Sequence, residues 1–327
     1  MKKLLFTLVI LTLFITAAVP VLAGEVSLVK RARGWEELFP PVSPPSRSDH
    51  AMTYDTRQGV AVLFGGAGES SALDDTWEWD SATMTWVERQ PAHRPPARFG
   101  HAMAYDEARR VTVLFGGTSW NLDDYGDTWL WDGDDWIQVY PSVSPAPRWL
   151  AAMAYDAQRQ VIVLFGGNGD GIYGDTWEWK YGRDWIELDI VGPSPRYGHV
   201  MAYDPNRNVM VMFGGADLFR FYNDTFERVE GGAWQQSTPP RSPSPRARPG
   251  FVYLPPAGRN FLFGGSKFVY FDDSWAWNGR RWQTAQFDPR PPARCCFAMV
   301  YDPVLEGVLV FGGSLSWVKD NDTWLFR

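Results

Sequence analysis

Cysteine, histidine and net positive charge are scarce in this chain, and each scarcity excludes something. Its 327 residues hold two cysteines, Cys295 and Cys296, adjacent in sequence, so no disulfide framework carries the fold. Neighbouring Cα atoms across a trans peptide lie about 3.8 Å apart, below the usual disulfide range. A bridge between the two is possible but strained, and their redox state stays open. The four histidines are His50, His93, His101 and His199. They do not form a legible metal centre, and no metal site or cofactor is expected. Lys and Arg number 31 against 38 Asp and Glu, a formal charge of -7. Such a chain is a poor general binder of nucleic acid or anionic membrane. Charged residues are only 21% of the total, which rules out a disordered polyelectrolyte. No Ser-His-Asp or Cys-His arrangement is legible, and no Gly-Lys-Ser/Thr follows a glycine-rich loop, so no catalytic residue is assigned.

The chain opens MKKLLFTLVILTLFITAAVPVLA. A positive start, an apolar run and Val21-Leu22-Ala23 read as a signal peptide over residues 1–23 with a mature start at Gly24. The competing reading, a membrane anchor, is disfavoured by Pro20 and by the terminal alanine. No cysteine follows the run, which argues against a lipoprotein. The protein is therefore expected to be exported, periplasmic or extracellular, without membrane insertion after cleavage. Loss of Lys2 and Lys3 takes the charge from -7 to -9 (-7 minus 2).

Repetition organises the rest. Gly65-Gly66 recurs as Gly116-Gly117, Gly166-Gly167, Gly214-Gly215, Gly264-Gly265 and Gly312-Gly313, at steps of 51, 50, 48, 50 and 48 residues. A period near 50 marks a repeat architecture. In the second copy four strands are legible: A (HAMAYD), B (VTVLFGG), C (DTWLWD) and D (WIQVY). Strand B is an apolar run, as a strand covered on both faces should be. Trp129 and Trp131 in strand C are two apart, which is the strand period. Proline-rich links, rigid rather than tether-like, join each strand D to the next strand A.

A four-stranded unit that is apolar on both faces must stack against like units, and radial stacking makes a β-propeller. The last copy stops after its strand C, Asp322 to Arg327, whereas an orphan strand D, Gly34 to Phe39, precedes the first. The expectation is an all-β, six-bladed propeller of four-stranded antiparallel blades, closed by the N-terminal strand completing the last blade. It forms one domain over 24–327, with blades about 47–90, 98–140, 148–190, 196–238, 246–287 and 294–327 plus 34–39.

The Gly-Gly pair after strand B and the tryptophan opening strand D (Trp35, Trp86, Trp136, Trp185, Trp234, Trp282) resemble the kelch-repeat family, over essentially the whole mature chain. The resemblance implies binding of proteins or carbohydrates, with a minority of enzymes such as galactose oxidase and a sialic acid mutarotase. Neither the Tyr–Cys cofactor nor the copper histidines of galactose oxidase can be assigned here. Three histidines (His50, His101, His199) stand at one repeat position and read as hydrogen-bonding residues of the repeat. Asn168, Asp170 and Asp175 faintly suggest a calcium turn, and residues 124–129 faintly suggest an Asp-box; both read better as ordinary loops.

Seven residues before each strand A tyrosine stands an arginine (Arg47, Arg98, Arg148, Arg196, Arg246, Arg294). Before each strand C stands an aspartate (Asp75, Asp127, Asp175, Asp224, Asp273, Asp322). Strict repetition favours bidentate pairs that fasten loops, with Arg148 and Arg196 kept as ligand contacts as well. Fifteen of the 18 tryptophans occupy repeat positions. The surplus ones, Trp120, Trp149 and Trp317, fall in B–C loops and a D–A link, which emerge on one face. With Tyr125, Tyr173, Phe221, Tyr222 and Tyr270 they are the expected ligand-binding surface, because exposed aromatics suit sugar rings and protein hot spots alike. The expected function is a monomeric, non-catalytic module for a glycan or protein ligand. The alternatives are a carbohydrate-active enzyme of the mutarotase or sialidase type, and a structural envelope or matrix protein.

Overall fold

A computed structural model describes residues 34–327 except Gln286 and Trp317. The expected signal peptide, residues 1–23, lies outside the described residues. Six four-stranded antiparallel sheets follow one another along the chain. In the second blade, strand A is Ala102–Asp106, B is Val111–Phe115, C is Thr128–Trp131 and D is Trp136–Val139. Ala102 faces Phe115, Phe115 faces Thr128, and Trp131 faces Trp136. The C–D turn is held by Asp132, whose Oδ1 accepts from the backbone N–H groups of Asp134 and Asp135 at 2.9 Å each, a side-chain mimic of a backbone turn.

The six strands A neighbour one another all the way round, the first against the last included, so they line the axis. Closure is by the N-terminus. Trp35–Leu38 pairs antiparallel with Val318–Phe326, Trp35 facing Phe326 and Leu38 facing Thr323.

Each apolar cluster spans two blades. Between blades 1 and 2, for example, Val62 and Phe64 meet Met103, Leu114, Trp129, Trp131 and Trp136. The bulky face of one blade thus packs on the branched face of the one before, which is why a single blade has no core of its own. Polar latches tie the same seams. The strand D indole of Trp136 donates to Thr76 Oγ1 of the preceding blade at 2.9 Å. Trp86, Trp185, Trp234 and Trp282 do the same to Thr323, Thr128, Thr176 and Thr225 at 2.9–3.1 Å. Trp35 is the exception: its buried Nε1 has no partner among the described residues, and Ser274 stands where the other blades place threonine.

The glycine pair is a seam device as well. Gly117 N–H donates to the Arg148 carbonyl of the next blade at 2.9 Å. A Cβ on Gly116 would lie 2.5 Å from that same oxygen, so no side chain fits. Blades 1, 3 and 6 run straight through the pair with a register shift and extend into long hairpins. Blades 2, 4 and 5 end strand B at Phe115, Phe213 and Phe263 and open into the loops that carry most of the unrepeated aromatics.

Candidate functional site

The six repeated arginines are buried. Arg148 shows how one is used: Nε donates to the Ala146 carbonyl, Nη1 to the Gly166 carbonyl and to Asp175 Oδ1, and Nη2 to Asp175 Oδ2, at 2.6–3.0 Å. Arg196 repeats the set with Ser194, Gly214 and Asp224. Both are removed from the expected ligand contacts, because carboxylate and carbonyls already take their donors. Asp175 is likewise unavailable to a calcium ion. Tyr125, Tyr173 and Tyr222 cover the guanidinium groups of Arg98, Arg148 and Arg196, 3.9–4.1 Å from ring centroid to Cζ. Tyr222 also donates to Asp217 and accepts from Ser194. These three tyrosines serve the clamps and line no part of the axial cavity. The clamps also tune their acids. Burial alone would raise the carboxyls of Asp127 and Asp273, but Arg98 and Arg246, helped by the indoles of Trp129 and Trp275, hold both below the usual range.

The three residues after each clamp arginine turn to the axis. The second of them forms a belt. Gly100 N–H donates to the Asp49 carbonyl, Leu150 to Gly100, Gly198 to Leu150, Arg248 to Gly198, Cys296 to Arg248 and Asp49 to Cys296, a closed circle at 2.7–3.2 Å. All six have left-handed backbones, φ 53–67°. Only two are glycine. Holding Leu150, Arg248 and Cys296 there costs roughly 1 kcal/mol or more each, so the belt carries side chains where glycine would be less strained.

The third residue packs beneath. His50, His101 and His199 set their rings edge-on to Phe311, Phe64 and Phe165 at 5.3–5.6 Å, and neither nitrogen has a hydrogen-bond partner. The expected hydrogen-bonding role is thus corrected to aromatic packing. The backbone of each phenylalanine opposes the shift in part. Burial first, and the clamp arginine second, lower the pKa of His101 and His199 to about 3 and that of His50 well below its ordinary value. Among the described residues no cluster of His, Cys, Asp and Glu is placed to hold a metal ion.

Above the belt, on the B–C loop face, lies a cavity of about 560 Å³. The first residue after each arginine forms its inner wall: Ser48, Phe99, Trp149, Tyr197, Ala247 and Cys295. Trp120, Phe221, Tyr270 and Lys319 complete the sides, and Asp49, Arg248 and Cys296 the floor. Trp120 and Trp149 stand on either side of Phe99, edge to face at 6.3 and 6.1 Å. Of the expected ligand residues the cavity gathers Trp120, Trp149, Phe221 and Tyr270. Trp317 lies outside the described residues.

Phe99, Tyr197, Asp49, Arg248, the two cysteines and Lys319 escaped the sequence reading. A signal was present: the triplets after the arginines, Ser-Asp-His, Phe-Gly-His, Trp-Leu-Ala, Tyr-Gly-His, Ala-Arg-Pro and Cys-Cys-Phe, differ from blade to blade between repeated flanks. On the floor, Arg248 Nη1 is 3.3 Å from Asp49 Oδ1 and 3.5 Å from Cys296 Sγ. Cys295 and Cys296 are joined as a vicinal disulfide, Cα atoms 3.8 Å apart.

The opposite mouth of the axis differs in kind. A cavity of about 330 Å³ there is lined by Met52, Met103, Met153 and Met299 with Tyr54, Tyr105, Tyr155, Tyr203 and Tyr301, residues every blade or nearly every blade repeats. Burial pushes the Tyr105 hydroxyl up to about 12.

Comparison with known proteins agrees with this architecture. The family model described as the KLHDC2/KLHL20/DRC7 Kelch-repeats domain matches residues 31–188 and 135–313, between them nearly all of the described chain. A fission-yeast protein, Mei4-dependent protein 6 of Schizosaccharomyces pombe, is 31% identical over 93 residues, which is 25% of this chain and 13% of that protein's length.

Proposed function

Because the chain belongs to the kelch-repeat family, whose propeller it forms, we propose that it is an exported, non-catalytic binding module that takes a glycan or protein ligand into the axial cavity of the B–C face. One observation carries this reading. The cavity is walled by aromatics that the repeat does not require and floored by one ion pair, on the face where the blades stop being alike. Aromatic walls supply apolar contact, and a few converging polar groups fix orientation. A concave site of this size suits an end or a protruding group of a ligand rather than a flat surface.

The test is a screen against glycan and peptide arrays with the chain beginning at Gly24, followed by Trp149→Ala and Arg248→Gly. Loss of binding in both, with melting temperature kept, supports the cavity. Unchanged binding in both rejects it. Export is checked separately by sequencing the N-terminus of the protein recovered outside the cytoplasm, where Gly24 is expected first.

One feature favours the enzymatic alternative: a carboxylate, Asp49, beside an arginine, Arg248, on the cavity floor. If that pair does acid-base work on a sugar, Asp49→Asn abolishes turnover while binding persists. If binding alone is the function, no turnover of any bound sugar is seen with either chain.

A further inference from the structure

The B–C loops of blades 4 and 5 expose more apolar surface than any repeat position asks for. Leu218 and Phe219 are 77% and 92% exposed, Phe268 and Val269 86% and 60%. Scattered exposed apolar residues are ordinary, but four on two touching loops are not. The loops are held in place. Asp217 Oδ1 accepts from the backbone N–H groups of Phe219 and Arg220 at 2.7 and 2.8 Å. Lys267 N–H donates to the Val269 carbonyl at 2.9 Å. The rings of Phe221 and Phe268 meet edge to face at 5.7 Å, tying one loop to the other. Leu315 and Val318 continue the exposed apolar crest on blade 6.

Charge follows the same division. Of the three lysines among the described residues, Lys267 stands in these loops, and Arg220 lies beside Phe219; Lys319, in the blade 6 strand, donates from its ammonium to the Gly68 carbonyl of blade 1. The nearby acids are engaged: Asp217 by the Tyr222 hydroxyl and the loop backbone, Asp272 by Arg290 at 2.9 Å. The exposed acids of this face, Glu69, Asp123 and Asp170, belong to blades 1 to 3. The exposed acids of the rim thus lie on blades 1 to 3, while its most exposed apolar residues, Phe219 and Phe268, lie on blades 4 and 5, with Trp120 and Leu122 of blade 2 less so.

We propose that the crest of blades 4, 5 and 6 seats the propeller on an anionic phospholipid bilayer, with Leu218, Phe219, Phe268 and Val269 entering the headgroup boundary and Arg220 and Lys267 facing lipid phosphates. Rings exposed on nearly every side offer no wall for a folded partner to complete, but they suit a soft phase that deforms around them. Apolar insertion and basic flanks act together at anionic surfaces. The whole chain's negative charge opposes a random approach, so contact occurs through this edge alone. It leaves the cavity mouth turned toward the membrane, where a lipid-anchored or surface-bound ligand would be met.

The test is co-sedimentation of the chain beginning at Gly24 with vesicles of phosphatidylcholine alone and of equimolar phosphatidylcholine and phosphatidylglycerol. Binding is expected to the second kind and at least tenfold weaker to the first. Phe219→Ser with Phe268→Ser is expected to lower binding at least tenfold at unchanged melting temperature, and Arg220→Glu with Lys267→Glu to bring it to the phosphatidylcholine level. Tyr140→Ser, an exposed ring on blade 2, is expected to leave vesicle binding unchanged, and because vesicle binding is read apart from cavity-ligand binding, failure of either reading is seen separately. Absence of binding to anionic vesicles, equal binding to both kinds, or wild-type binding by the double serine variant overturns the proposal.

Discussion

Arg98 holds two blades at once. Its guanidinium grips Asp127 and the Gly116 carbonyl inside its own blade at 2.6–2.9 Å, while its backbone carbonyl accepts from Gly66 of the blade before at 2.9 Å. Arg98→Ala leaves the Asp127 carboxylate partly buried and unpaired, which typically costs about 3–5 kcal/mol. A clear fall in melting temperature is expected, with ligand binding lost only as stability is lost. Arg248 is the contrasting case. It sits in the strained belt with φ 53°, so Arg248→Gly relieves backbone strain while leaving Asp49 without its ion-pair partner, and a small net change in melting temperature is expected as the charged group leaves the cavity floor. Calorimetry beside ligand titration checks both. Sequence distinguished these two arginines only by repetition. Six copies at one offset marked Arg98 as a clamp, whereas Arg248, two residues after the clamp Arg246, was hidden because no other blade repeats an arginine there. Tyr125, Tyr173 and Tyr222 misled for a related reason: their loops belong to the right face, but stacking on a buried guanidinium turns their rings inward.

Strand D shows what a single hydroxyl does for an element. Five strand D tryptophans find a threonine across the seam, and Trp35 faces a seam that offers Ser274. Ser274→Thr is expected to place the hydroxyl and its methyl as in the other blades and to satisfy the buried indole. A gain of about 0.5–1.5 kcal/mol, the net worth of one hydrogen bond, would appear as a higher denaturant midpoint with unchanged slope. No change at all would mean that Trp35 is held by packing on Phe261 and Phe263 alone. The strands were legible from their residues: Val-rich strand B is buried on both faces, and Trp129 and Trp131, one strand period apart, both pack into the seam with blade 1. The B–C loops were not, because nothing in a short loop's own sequence says whether an aromatic folds under or stands out. Phe219 stands out, while Tyr222 three residues later is buried.

For the whole ring, closure and titration are the testable properties. Deleting residues 24–40 removes the strand that pairs with Val318–Phe326 and empties the Trp35 site. Loss of a large core aromatic alone costs about 3–5 kcal/mol, so a large drop in melting temperature is expected, and an unchanged value would refute closure by the N-terminus. Three fully buried histidines make stability depend on acid. Their folded pKa lies far below the unfolded value near 6.5, so below that value the unfolded chain binds the extra protons. Their contribution is complete above about pH 6.5 and is lost as pH falls toward the folded value of about 3 for His101 and His199. The slope is roughly 1.4 kcal/mol per pH unit for each. Asp127 and Asp273, with lowered folded values, add loss in the same direction below about pH 4. Melting curves from pH 7 to 4 for the native chain and for His101→Phe check this, the variant being expected to show the shallower decline.

By itself the sequence determined the number of blades, their strand order, the closure of the ring and the arginine clamps. All of these are properties that six copies must share, since every seam poses the same packing problem and receives the same residues. Only the tertiary structure decided the site. The triplets after the clamp arginines come together because a circle of backbone hydrogen bonds turns them to one axis, and residues about 50 positions apart become neighbours there. That convergence brings Asp49 to Arg248 and sets Phe99 between Trp120 and Trp149. The same assembly leaves Phe219 and Phe268 in solvent, because their loops extend beyond the last strand that could cover them.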